Sequence, residues 1–200
     1  MKYNPNNHWD PEVGKTNSEI NLKNVEKTIE ELRFNSEKIL VCGRGVKTHP
    51  EFSPRFSVPT VDVDSELYVS VDMSPANALG IKRSGKYALS IIVDPSVPIK
   101  IKELGGQAYW FSPEYLDLGI PKINSGIFPY DNSGLAAISI AAFLNAQKIL
   151  ISGIKLDGKY KIFKDGGRKI FEELKNSGKK IYSLDGNLAE KISYNYWKEI

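Results

Sequence analysis

Four short stretches carry the residues best suited to meet a ligand. The first is Gly43-Arg44-Gly45, which follows the apolar run Lys38 to Cys42. A G-x-G after a buried strand permits a tight turn and close approach of backbone to a phosphate. The others are Asp72 to Asn77 (D-M-S-P-A-N), Asn132-Ser133-Gly134 and Gly153 to Asp157. Asn132, Ser133 and Gly134 are helix-start residues, and a free helix N-terminus attracts anions. Arg44, Lys47 and Lys155 are placed to neutralise phosphate. A dinucleotide fingerprint wants a third glycine where Thr48 stands, and a helix where Pro50, Pro54 and Pro59 interrupt. Asp64 falls where a ribose-binding acid would, but without that fingerprint the spacing carries little. A glycine-lined nucleotide or phosphate loop and a structural strand-end turn both remain open.

Acid–base groups are few. Asp62, Asp64 and Asp72 end or follow apolar runs and are candidates to hold Mg²⁺ beside phosphates, or are surface turn acids. Ser74 and Asn77 belong to the Asp72 loop, which suits either a ligand or an Asx turn. The chain has two histidines, His8 and His49, so no Ser–His–Asp set can be assembled. His49 is a candidate general base or a solvated loop histidine. His8 has no second metal ligand at a helical or turn spacing. The single cysteine, Cys42, excludes an internal disulfide and reads as an inert core thiol.

The elements that must position these residues follow from periodicity. Residues 1–18 read as a polar N-terminal arm, and residues 19–200 as one α/β domain. Ile20, Leu22, Val25, Ile29 and Leu32 predict an amphipathic helix over 19–34. Strands are expected at 38–42, 58–63, 67–71, 87–93, 107–111, 148–152 and 180–184. A helical turn is expected at 99–104. Helices are expected at 132–144, 165–177 and 188–200, the second ending at Gly178. Leu135 to Leu144 is almost wholly apolar and predicts a helix buried on most faces. Residues 112–131, with Tyr115, Phe128 and Tyr130, are a long loop that forms a substrate wall or packs over the sheet. The alternation predicts a Rossmann-like, mostly parallel sheet with helices on both faces. The four polar stretches would then sit at strand ends, around one crevice. A net charge of +3 over 200 residues, with both signs interspersed, argues against a nucleic-acid face. The longest apolar run is about half the ~20 residues of a membrane helix, so a cytoplasmic protein is expected.

Asn132 to Leu156 (N-S-G-L-A-A-I-S-I-A-A-F-L-N-A-Q-K-I-L-I-S-G-I-K-L) resembles a segment shared by two related groups. One is the 6-hydroxymethylpterin diphosphokinase (MptE)-like family of the DUF115 type, which includes motility accessory factors. The other is the bacterial sialyltransferases that use CMP-sugars. Val69 to Pro75 (V-S-V-D-M-S-P) and Gly178 to Asn187 resemble further segments of these groups. The resemblance covers about a third of the chain. It implies a Rossmann-like fold and nucleotide-dependent transfer of a sugar or a diphosphate. It would put Gly43 and Gly45 at the nucleotide phosphates and Asp72, Ser133 and Gly134 around the nucleotide. Gly153 and Leu156 would line the pocket wall. The family loop G-x-G-P-S-L is here Gly43 to Thr48, and the usual acid after the glycine–hydrophobic pair is Lys155. The catalytic histidine of the sialyltransferases has no counterpart.

Three readings follow. The first is a nucleotide-dependent transferase, glycosyltransferase-like or diphosphokinase-like, with a nucleotide or nucleotide-sugar as partner and Mg²⁺ if phosphoryl transfer is the chemistry. The second is a non-catalytic nucleotide- or metabolite-binding module. The third is a protein-interaction domain that uses the N-terminal arm. The acceptor, the base and the oligomeric state are not encoded in any motif.

Overall fold

The computed structural model describes residues 10–46, 52–113, 122–123, 127, 132–156, 164–186 and 189–200. His8, Lys47, Thr48, His49, Asp157 and the three aromatics of the 112–131 loop lie outside them. The strands are β1 (Lys38–Cys42), β2 (Arg55–Ser57), β3 (Leu67–Ser70), β4 (Lys86–Ser90), β5 (Gln107–Phe111), β6 (Lys148–Ser152), β7 (Lys180–Ser183) and β8 (Glu190–Lys191). They form one sheet in the order β5-β4-β3-β2-β1-β6-β7-β8, and every pairing is parallel. The sheet is the Rossmann-like α/β architecture that the alternating pattern predicts. Strand order reverses between β1 and β6. Such a switch point is where open parallel sheets hold ligands.

The helices are α1 (Pro11–Asn21), α2 (Ser96–Glu103), α3 (Ser133–Phe143), α4 (Lys164–Asn176) and α5 (Tyr194–Glu199). Alternate strand residues bury on opposite faces. Ile39, Val41, Leu67, Val69, Ile149 and Ile151 meet α3 and α4 in the larger core. Leu40, Cys42 and Leu150 turn the other way, against Val58, Val61, Val63, Ile192 and Trp197. Tyr68, Leu89 and Trp110 continue that second face, against Val97 and Ile101 of α2. Helix α3 has eight of its eleven residues buried, including Leu135, Ala136, Ala137, Ile138 and Ile140. Its alanines let it approach β1, β2, β3 and β6 together.

The strand expected over 87–93 ends at Ser90, the helical turn expected at 99–104 is the longer α2, and three stretches depart further from the periodic expectation. The helix expected over 19–34 ends at Asn21 and begins instead at Pro11, inside the stretch read as an arm. Asp10 caps it through Glu12 N–H, and Pro11 occupies the first turn, where a missing N–H costs nothing. The chain then makes a 3₁₀ turn at Leu22–Asn24 and an extended strap. A second 3₁₀ turn follows at Ile29–Glu31, closed by a Thr28/Glu31 capping box. Lys27 C=O accepts from Trp110 N–H, and Thr28 pairs with Trp110 in parallel. Covering the free edge of β5 thus overrides the local helical period. The strand expected over 58–63 is replaced by the three-residue β2 upstream of it. Pro59 cannot donate to a ladder, and Val58, Val61 and Val63 bury against Leu40 and Cys42 as a crossover. The helix expected over 188–200 is divided into β8 and the short α5, which Ser193 caps through Tyr196 N–H.

Candidate functional site

At the carboxyl ends of β1 and β6 the two loops lock together through their backbones. Gly43 N–H donates to Ser152 C=O at 2.8 Å, and Gly45 N–H donates to Gly153 C=O at 2.7 Å. Val46 N–H returns to Gly43 C=O at 3.2 Å. Gly153 sits at φ +71°, and a β-carbon there would fall 1.9 Å from Val46 N. A β-carbon on Gly43 would lie 2.6 Å from Gly153 O. Loop-to-loop contact therefore requires glycine at both positions. Asp185, just past β7, accepts from Gly153 N–H and fixes the second loop from the far side. The sequence offers only an acid directly after the strand expected at 180–184 as a signal for this residue.

The start of α3 enters the same place. Asn132 Oδ1 accepts from Gly134 N–H at 2.8 Å and Leu135 N–H at 3.2 Å, as an N-cap does. Ser133 Oγ accepts from Val71 N–H at 3.2 Å and ties α3 to the end of β3. Gly134 and Gly43 both lie against Ile154, whose side chain fills the space between the three loops. Gly43, Gly45, Asn132, Ser133, Gly134, Gly153 and Ile154 thus meet at the switch point, and Leu156 is buried in the same core as Ile154.

Two cations border this junction. Lys155 lays its stem over Gly45, where a β-carbon would come within 2.8 Å of Lys155 Cε. Arg44 is exposed and donates from Nε to Thr60 Oγ1 at 2.8 Å. Neither has an acidic partner among the described residues, where the ion pairs are Arg83 with Asp62 and Asp64, Lys100 with Glu103, and Arg168 with Asp165. The loop N–H groups of Gly43, Gly45 and Val46 are already bonded within the chain. A phosphate here would be met mainly by the Arg44 and Lys155 side chains, not by a backbone cradle.

The Asp72 loop is linked to the junction through Val71, but its polar groups are turned on itself. Asp72 Oδ1 accepts from Ser74 N–H at 2.9 Å, an Asx turn. Ser74 Oγ accepts from Ala76 N–H, and Asn77 Nδ2 donates to Ser74 C=O. These contacts open the 3₁₀ turn Pro75–Gly80. Asp62 and Asp64 stand elsewhere, both held by the guanidinium of Arg83. Asp62, Asp64 and Asp72 therefore do not gather. Among the described residues no trio of His, Cys, Asp or Glu is close enough to hold a metal ion.

Cys42 is fully buried at the end of β1. Burial pushes its thiol up to about 11, partly offset by Arg55 and reinforced by Asp185. A thiol so shifted is neutral and unreactive near neutral pH. No described helix is long and apolar enough to cross a membrane.

No family model, characterised protein or solved structure matches the chain.

Proposed function

We propose that the protein binds the phosphates of a nucleotide or nucleotide-sugar at the β1/β6 switch point. The observation that carries this reading is the pair of cations, Arg44 and Lys155, which have no acidic partner among the described residues and stand beside the glycine junction and the start of α3. The location agrees with the general rule for parallel sheets, and the resemblance of Asn132 to Leu156 to nucleotide-dependent transferases supports it further. On that resemblance the chemistry would be glycosyl or diphosphate transfer in the cytoplasm, with Asp72 as the candidate acid and Mg²⁺ as its aid in the diphosphate case.

One observation favours the non-catalytic alternative. Asp72 Oδ1 is committed to its own turn, and the other two candidate carboxylates are paired with Arg83. A binding module with no chemistry fits these contacts more simply than a transferase does.

A thermal-shift screen separates the readings in two stages. CMP, UDP, GDP, ATP and their sugar conjugates are tested with and without Mg²⁺. A ligand at ~100 times its dissociation constant adds about 2.7 kcal/mol of stability. The expected result is a shift with at least one nucleotide that disappears in the double variant Arg44→Ala/Lys155→Ala. Turnover of that same nucleotide establishes transfer, and binding without product establishes the module. A flat screen sinks both.

A further inference from the structure

On the second face of the sheet, away from the large helical core, the crossovers are short and irregular. The 58–66 segment and the 71–85 segment run side by side there and leave a pocket of about 280 Å³ between them. Its floor is Tyr68 and Tyr87, paired across β3 and β4 and stacked with centroids 4.9 Å apart. Its walls are pinned. Tyr68 Oη donates to Val63 C=O at 3.2 Å, and Tyr87 Oη donates to Arg83 C=O at 2.7 Å. Arg83 bridges Asp62 and Asp64 across one end. Gly80 is pressed so closely on Thr60 that a β-carbon would come within 2.8 Å of it. A pocket with fixed walls needs little ordering when a ligand enters.

The lining has a distinct chemistry. Pro59, Val61, Leu79 and the two tyrosine rings supply apolar surface. Leu79 is 81% exposed, an unusual place for a large aliphatic residue beside a cavity. Next to it stands Lys82, exposed and without an acidic partner among the described residues. Arg83 is shared by Asp62 and Asp64, so that group carries one net negative charge, and Lys82 is the lining cation left to receive an anion. Ligand sites typically combine an apolar lining with few convergent polar groups, and run from ~300 Å³ upward. The volume falls just short of that range, so the occupant is small. We infer that this pocket binds a small amphipathic carboxylate, with its apolar body on Leu79 and the tyrosine floor and its carboxylate at Lys82. The site borders the β1/β6 junction, since Arg44 donates to Thr60 Oγ1 of its lining, but it shares no lining residue with the proposed phosphate site and does not depend on nucleotide binding.

The probes are sodium benzoate, its neutral counterpart benzamide, and inorganic phosphate, each titrated into the ¹⁵N-labelled protein and followed by amide NMR shifts. Benzoate should shift the amides of Thr60, Leu79 and Lys82 saturably, and about fivefold more tightly than benzamide, the scale of one partly screened ion pair. Lys82→Gln should remove that advantage without moving benzamide, and Leu79→Ala should weaken both. Phosphate, with no apolar body, should leave the Leu79 and Lys82 amides in place, and a phosphate shift confined to Thr60 reads the neighbouring Arg44, not the pocket. Equal affinity for benzoate and benzamide, an unchanged benzoate affinity in Lys82→Gln, phosphate binding as tight as benzoate, or shifts without saturation would each overturn the assignment. Both variants alter exposed side chains, so a folded amide spectrum is expected and serves as the control.

Discussion

Helices α1 and α3 have the same length, eleven residues, and opposite means of attachment. Helix α3 sits at the centre of the sheet and buries leucine, isoleucine and alanine on nearly every side. Helix α1 buries Gly14, Asn17, Ser18 and Asn21. Asn17 Nδ2 donates to Ile92 C=O at 3.1 Å, and Asn21 Nδ2 donates to Ile91 C=O at 2.9 Å and Val93 C=O at 2.8 Å. The carbonyls at the end of β4 would otherwise be orphaned, so α1 is held by satisfying them. Apolar burial is roughly additive in area and unspecific in direction. Buried amide bonds contribute modestly when made and cost much when broken. The centre is thus stabilised by packing, and the α1 flank by a few hydrogen bonds of fixed geometry.

The largest test lies at the centre. Gly153→Ala places a β-carbon on Val46 N and forces a positive φ on alanine, so a loss of at least about 4 kcal/mol is expected in urea denaturation. Leu135→Ala in α3 should cost about 3 kcal/mol, the range for a buried leucine, with the whole transition moving together. Retention of wild-type stability in either variant would break the picture of a packed centre. On the flank, Asn21→Ala removes both donations to the β4 turn. It should cost about 2 kcal/mol, and hydrogen exchange should rise in α1 while α3 stays protected. Equal loss of protection in the two helices would erase the distinction between them.

Alkali should act on both regions through groups that burial keeps neutral. Cys42 at the centre is raised from 9.0 to about 11, and Tyr87 on the flank from 10.0 to about 12. In each case the unfolded chain loses its proton first. Their contributions are therefore complete below about pH 9 and fall away progressively as the pH rises to about 12. Cys42→Ser should begin to lose stability at a higher pH than wild type, read from urea midpoints between pH 8 and 11. The smallest signal is chemical. Cys42 should resist a thiol reagent at pH 8 in the native protein and react fully in urea, and labelling without unfolding would contradict its burial.

The difference between the helices also explains what could be read in advance. The α3–β6 unit was legible because its apolar run, its Asn132 cap and the glycine after its strand all agree. Helix α1 was not, because a face of Gly, Asn, Ser and Asn looks like surface until the carbonyls of Ile91, Ile92 and Val93 are brought to it. The convergence of Gly43, Ser133, Gly134 and Gly153 was inferable from strand ends alone. Arg83 was not, since nothing in its local spacing points to Asp62 and Asp64, twenty-one and nineteen residues away.

What the sequence by itself determined is the parallel α/β sheet, the buried α3 and the glycine positions at the switch point. Those depend on local periodicity and on the backbone freedom that only glycine has. The tertiary structure decided how these pieces are used. It spent the loop N–H groups on a backbone lock, left Arg44 and Lys155 without acids among the described residues, drew Asp62 and Asp64 to Arg83, and opened a pocket beneath Leu79. Each of these depends on partners distant in the chain, whose pairing is set by strand order and crossover path and by no short-range signal.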